Sequence, residues 1–159
     1  MNEAIQRLAR RLAGLAARRS GFAVGLWGEP GIGKTHMALA LLRATPCQSF
    51  TVHAAQALEA IVLVLPRPKK ASIWLEQALN RLLRGEPSEP GALLQTITAL
   101  MSANAPLILH VEDLHEAEPE RLEFWKQLAF AVVRIRGVGL IVTGRTRPPE
   151  SIEISSLRH

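Results

Sequence analysis

The sequence predicts a three-layer α/β domain, with a central parallel sheet of about five strands and helices on both faces. Three observations predict it. Short, continuous apolar runs recur along the chain, as strands buried on both faces require. Stretches with apolar residues at helical spacing lie between them. Glycine, proline or a polar cluster separates one kind of segment from the next.

The elements follow in order. Ile5, Leu8, Leu12 and Leu15 recur at helical spacing with arginines between them, so residues 1–20 read as a basic amphipathic helix. Phe22 to Trp27 (FAVGLW) is an apolar run ending at glycine, as a buried strand would. A helix from Lys34 to Arg43 stops at Thr45-Pro46, because a residue before proline disfavours the helical region. Gln48 to His53 is β-rich and alternating, a second strand. A helix over Ala55 to Leu65 ends at Pro66, and Ser72 is placed to cap the next, which carries Trp74, Leu75, Ala78, Leu79 and Leu82. After a break over Gly85 to Pro90, Leu93, Ile97, Leu100 and Met101 mark a further helix. Leu107 to Val111 (LILHV) is a strand, and Pro119 opens a helix with Leu122, Trp125, Leu128, Ala129 and Val132 on one face. Val138 to Val142 is the next strand, and Ser151 to Ile154 (SIEI) is the expected last one. Met37, Trp74, Met101 and Trp125 all fall on apolar helix faces and are expected in the core. Strands alternating with helices imply the parallel sheet.

A chain of 159 residues suits a single domain, 1–159, with one real core. Hydrophobic residues make up 48% and charged residues 21%, which argues against disorder. The lone cysteine, Cys47, excludes an internal disulfide and fits a reducing cytoplasm, where it reads as a small packing residue. The N-terminal stretch is too charged for a secretory signal, and the longest apolar run, Ile61 to Leu65, is too short to span a membrane. A net charge of +5 brings a polyanionic partner into consideration. Its main carriers are Arg7, Arg10, Arg11, Arg18 and Arg19, whose favoured reading is a solvated helix face. The Lys69-Lys70 stretch reads as a solvated turn.

Gly28-Glu29-Pro30-Gly31-Ile32-Gly33-Lys34-Thr35 matches G-x-x-x-x-G-K-[ST], between a predicted strand and a predicted helix. Its glycines let successive backbone N–H groups turn inward onto phosphate oxygens. The helix that follows adds its unpaired N-terminal N–H groups and positive dipole end. Lys34 would neutralise the β and γ phosphates, and the Thr35 hydroxyl would complete a magnesium shell. His36, one residue past Thr35, lies in the first turn of that predicted helix, where its ring could touch a phosphate or the base. The domain therefore reads as a P-loop core for ATP and Mg2+.

Glu112 and Asp113 follow the strand LILHV. One carboxylate at such a strand end holds magnesium, and a second beside it orients or deprotonates the attacking water. No Asn-Lys-x-Asp guanine reader is present, which argues against a GTPase. Asp113 is the chain's sole aspartate among fourteen acids.

Together GEPGIGKT, VEDLHEAEP and LIVTGRTRP resemble the STAND and AAA-type ATPases, in particular the ATPase domains of large bacterial transcriptional regulators. In that family the acidic pair is commonly followed by Leu-His, here Leu114 and His115. The resemblance implies that Glu112 takes the magnesium position and Asp113 the catalytic one. Thr143 would end the fourth core strand as a polar sensor, with Arg145 or Arg147 reading the γ-phosphate. His53 lies where some AAA enzymes keep a polar residue coupled to the catalytic acid. The family's element before the P-loop, near the adenine, has no clear match in RLAGLAARRSG, and its helical lid is expected to be absent or truncated after 157.

The expected function is slow hydrolysis of ATP to ADP as a conformational switch, in a cytoplasmic signalling or transcription-regulatory protein with further domains or self-association. The main rival is an AAA-type loader or remodeller acting on nucleic acid, with Arg134 or Arg136 as candidates to act in trans. A small-molecule kinase would need an acceptor pocket and an arginine-bearing lid, and a binding-only module would have lost hydrolysis.

Overall fold

The computed structural model describes residues 7, 10, 21–27, 42–43, 47–145 and 155–157, the last three as backbone only. The predicted basic helix, the helix after Lys34 with Met37, and residues 28–41 and 146–154 lie outside the described residues, save for single positions.

Five parallel strands form one sheet: β1 (Phe22–Trp27), β2 (Gln48–His53), β3 (Leu107–Glu112), β4 (Val138–Gly144) and β5 (Ser155–Leu157). Their order is β2-β3-β4-β1-β5. The register runs Phe22↔Gly139 through Trp27↔Gly144, Leu107↔Val138 through Val111↔Val142, and Gln48↔Leu107 through His53↔Glu112. The C-terminal ends of β1 to β4 therefore lie along one edge of the sheet.

Side chains alternate between the two faces. Ala23, Val52, Leu107, Leu109, Val111, Val138, Leu140 and Val142 enter the main core cluster. Four helices supply most of the rest: α1 (Leu58–Val64), α2 (Ile73–Leu83), α3 (Pro90–Ala103) and α4 (Pro119–Val132), with Ala54, Leu65 and Leu114 between elements. Val24, Leu26, Ile108, His110, Ile141 and Thr143 have the opposite parity and are buried too. Both faces of the sheet are thus covered, as a three-layer α/β domain requires.

α1 begins at Leu58, three residues later than expected, and prolines open two of the other helices. Pro90 and Pro119 open α3 and α4, where a missing N–H costs nothing. Ser72 holds the cap position of α2, but its side chain makes no cap bond; the Ser72 carbonyl accepts the Glu76 N–H instead. Gly137 turns the chain into β4 at φ 78°, a left-handed conformation that other side chains resist, and its carbonyl accepts the Leu107 N–H.

The strand expected at 151–154 lies outside the described residues; the last described strand is Ser155–Leu157, paired with Val24 to Leu26. One expectation is corrected. Trp74 is 49% exposed, because Leu75 and Leu79 form the inward stripe of α2 and Trp74 lies a step around the helix. Met101 and Trp125 are buried as expected. The Trp125 indole N–H also donates to the Ala54 carbonyl at 3.0 Å, tying α4 to the segment that leaves β2.

Candidate functional site

The acidic pair stands where β3 leaves the sheet. Glu112 is the last residue of β3, paired with His53 at the end of β2. The Ala54 N–H extends that ladder by donating to the Glu112 carbonyl at 2.8 Å. By alternation Glu112 shares a face with Ile108 and His110, and Thr143 on β4 shares it too. Asp113 then reverses the chain in the left-handed region, at φ 58° and ψ 52°, leading into a 3-10 turn over Leu114–Glu116. The turn is closed by Glu116 N–H to Asp113 carbonyl (2.9 Å) and Ala117 N–H to Leu114 carbonyl (3.1 Å), and it is anchored by buried Leu114. GEPGIGKT leaves the same sheet edge, since Trp27, which precedes Gly28, pairs with Gly144. Gly28, Glu29, Pro30, Gly31, Ile32, Gly33, Lys34, Thr35 and His36 themselves lie outside the described residues, as does Arg147.

His53 joins the two carboxylates of the turn. Its Nε2 lies 2.7 Å from Glu116 Oε2 and 3.3 Å from Asp113 Oδ2. Its Nδ1 accepts the Ala55 main-chain N–H at 3.1 Å, so the ring proton belongs on Nε2, which donates to the carboxylates. His53, Asp113 and Glu116 bring their ligand atoms close enough for a metal ion. A ring that accepts at Nδ1 and donates at Nε2 has no lone pair for one, however, so the trio acts as a hydrogen-bonded clamp. The Glu112 carboxylate makes no hydrogen bond or ion pair among the described residues. Its oxygens are of the hard type that suits magnesium. The two adjacent acids are thus differently committed.

On β4, Thr143 is buried at the end of the strand, and Arg145 follows it, exposed. The Arg145 main-chain N–H donates to His115 Nδ1 at 3.0 Å. Beneath the acids, His110 is fully buried, with Nδ1 3.4 Å from Thr51 Oγ1 and, among the described residues, no partner for Nε2. Burial lowers its pKa from 6.5 to about 4, although the negative charge of Asp113 pulls the other way.

The structure therefore brings together Glu112, Asp113, Thr143 and Arg145, with His53 against Asp113. Sequence reasoning missed Glu116 as the second partner of His53 and the bond from His115 to Arg145. Both depend on which strands are neighbours, and no local pattern carries that information. It also passed over His110, a polar residue inside an apolar strand, which was a visible signal.

Comparison with known proteins bears on the fold. The sequence pattern of the AAA ATPase domain matches residues 2–139. No curated protein sequence matches the chain. The fold resembles Drosophila ORC in a structure bound to DNA, with a TM-score of 0.57 and 13% identity over 98% of this chain and 41% of that one. It also resembles Cdc6p from Pyrobaculum aerophilum, with a TM-score of 0.54 and 18% identity over 90% of this chain and 38% of that one. The chain thus spans well under half the length of either. With most of its length matched by the family's pattern, the chain belongs to the AAA ATPase domain family.

Proposed function

We propose that the chain binds ATP with magnesium, hydrolyses it slowly, and uses the cycle as a conformational switch, as in the STAND-type regulators its motifs resemble. One observation carries this reading. Glu112 and Asp113 sit at the sheet edge from which GEPGIGKT departs, and His53 engages Asp113 but not Glu112.

The roles follow from that division. Backbone N–H groups of residues 28–35 and the Lys34 ammonium bind the phosphates, and the chemistry at this edge is positioning and charge stabilisation. Thr35 and Glu112 would hold magnesium, which when bound neutralises charge on the β and γ phosphates. Asp113, its other oxygen available, orients the attacking water. The Nε2–H of His53 fixes the Asp113 carboxylate against rotation. Thr143 and Arg145 present a hydroxyl and a guanidinium from the neighbouring strand end; Arg147 is the alternative sensor. His36 is the candidate for contact with a phosphate or the base. A single cysteine and the motif likeness favour a cytoplasmic setting.

The test is Lys34→Ala, with ATP and magnesium binding followed by calorimetry and turnover by phosphate release. Binding should be nearly abolished, with the far-ultraviolet circular dichroism unchanged. A variant that binds as tightly as the wild type refutes the reading.

A second reading, action on nucleic acid, is favoured by two observations: the net charge of +5 and the likeness to a protein whose structure is bound to DNA. If helix arginines contact duplex phosphates, log K should fall by roughly 0.9 per contact per decade of salt. Tight binding at physiological salt that disappears in Arg7→Ala/Arg10→Ala/Arg11→Ala would establish this reading over the solvated face.

A further inference from the structure

Asp113 and Arg145 leave the sheet at the ends of different strands, and one side chain bridges the two exits. His115 Nδ1 accepts the Arg145 main-chain N–H at 3.0 Å, across thirty positions of sequence. Arg145 is the first residue past β4, where the parallel ladder with β1 has ended at Gly144. The bond therefore takes over where strand pairing stops. Because Nδ1 accepts, the ring proton belongs on Nε2. The acceptor is also rigidly carried. Leu114 beside it is 3% exposed, the two main-chain bonds of the turn enclose it, and His53 holds the turn's carboxylates from the other side.

We infer that His115 is a positioning residue that couples the Asp113 turn to the start of the Arg145 segment. By accepting that one N–H it sets where the Arg145 guanidinium emerges relative to the Asp113 carboxylate. A shift of the turn then displaces Arg145, and a pull on Arg145 reaches the turn. The inference rests on the roles given above to Asp113 and Arg145. An exposed hydrogen bond of this kind adds little to stability, so its worth lies in alignment.

Three variants separate acceptor chemistry from bulk. In His115→Asn, Oδ1 branches from Cγ as Nδ1 does and can accept the same N–H. In His115→Gln the acceptor is one carbon too far out, and in His115→Ala it is gone. Amide exchange at Arg145 in the nucleotide-free protein should accelerate in the Ala and Gln variants and stay protected in Asn. Turnover should fall roughly tenfold in Ala and Gln, the equivalent of about 1.4 kcal/mol, and at most about threefold in Asn. ATP affinity and Tm should stay near wild type in all three. Adding Arg145→Ala to His115→Ala should cost no more than Arg145→Ala alone.

Unchanged Arg145 exchange in His115→Ala overturns the inference, as does faster exchange with wild-type turnover. So does a double variant whose losses multiply, since His115 would then act elsewhere. Wild-type turnover in Lys34→Ala, measured alongside, would instead sink the ATPase reading and this coupling with it, and the exchange data would still report whether the bond exists.

Discussion

Replacing His110 with leucine should remove a specific part of the protein's sensitivity to acid. His110 is inaccessible to solvent, on a strand whose neighbours on the same face are Ile108 and, across the ladder, Ile141. Burial holds its folded pKa at about 4, against 6.5 ordinarily. The unfolded chain therefore takes up a proton on this residue below about pH 6.5, while the folded protein refuses it until about pH 4. A group that binds more protons unfolded than folded makes stability rise with pH. Its contribution is intact above pH 6.5 and is lost as pH falls toward 4. At about 1.4 kcal/mol per pH unit, the loss approaches roughly 3 kcal/mol across that window. Carboxylates titrate in part of the same range, so the informative quantity is the difference between wild type and His110→Leu. Urea unfolding at pH 7.5, 6.5, 5.5 and 4.5, without nucleotide or metal, should give a difference that is flat at the top. It should widen in favour of the variant by about 1 kcal/mol per unit below pH 6. Parallel curves for the two proteins would show that His110 charges freely in the folded state, and would refute the reasoning.

Other substitutions have separate expected outcomes. Trp125→Phe keeps an aromatic ring but loses the pyrrole half of the indole with its N–H, orphaning the Ala54 carbonyl, and should cost about 1–3 kcal/mol in denaturant unfolding. Gly25→Ala would set a Cβ 2.3 Å from the Trp27 ring and should cost about 1–3 kcal/mol, with weaker ATP binding because Trp27 leads directly into Gly28. Asp113→Asn should leave ATP affinity within about threefold and slow turnover about 100-fold or more, by single-turnover kinetics. Asp113→Gly should match that loss of turnover while relieving backbone strain of about 1 kcal/mol.

What was legible in the sequence tracks how local the physics is. LILHV and VGLIV read as strands because strands buried on both faces must be apolar throughout. Pro119 marks a helix start because a proline ring presets φ and needs no donor; Pro90, read as the end of a break, opens a helix for the same reason. Ser155–Leu157 raised no strand expectation, because edge pairing through backbone groups leaves almost no side-chain signature. Trp74 was placed inside because hydrophobicity alone does not say which side of a helix turns inward; Leu75 and Leu79 decide that. Glu112 and Asp113 were legible because a carboxylate pair ending an apolar strand is a local pattern. The links from His53 to Glu116 and from His115 to Arg145 join residues 63 and 30 positions apart. They exist only because β3 lies between β2 and β4.

The same reasoning explains why an aspartate stands at position 113. The chain uses glutamate for thirteen of its fourteen acidic residues, so composition alone would favour glutamate here. Among the described residues Asp113 is also the single non-glycine residue with positive φ. A left-handed backbone is strained for most side chains, and aspartate and asparagine are enriched among those that tolerate it. The reversal is needed because the chain must leave β3, bury Leu114 beside the end of β4 and still present a carboxylate toward His53. A glutamate would carry its carboxylate one carbon farther out and would add backbone strain, and both changes would loosen a group that must stay still to orient water. Asp113→Glu therefore tests the turn more sharply than removal of the charge does. It keeps the acid, so simple electrostatics expects near wild-type turnover. If backbone conformation and reach set the position, turnover should fall about tenfold or more and Tm should drop with it. A glutamate variant as active and as stable as the wild type would show that neither is required, and that the sole aspartate is incidental.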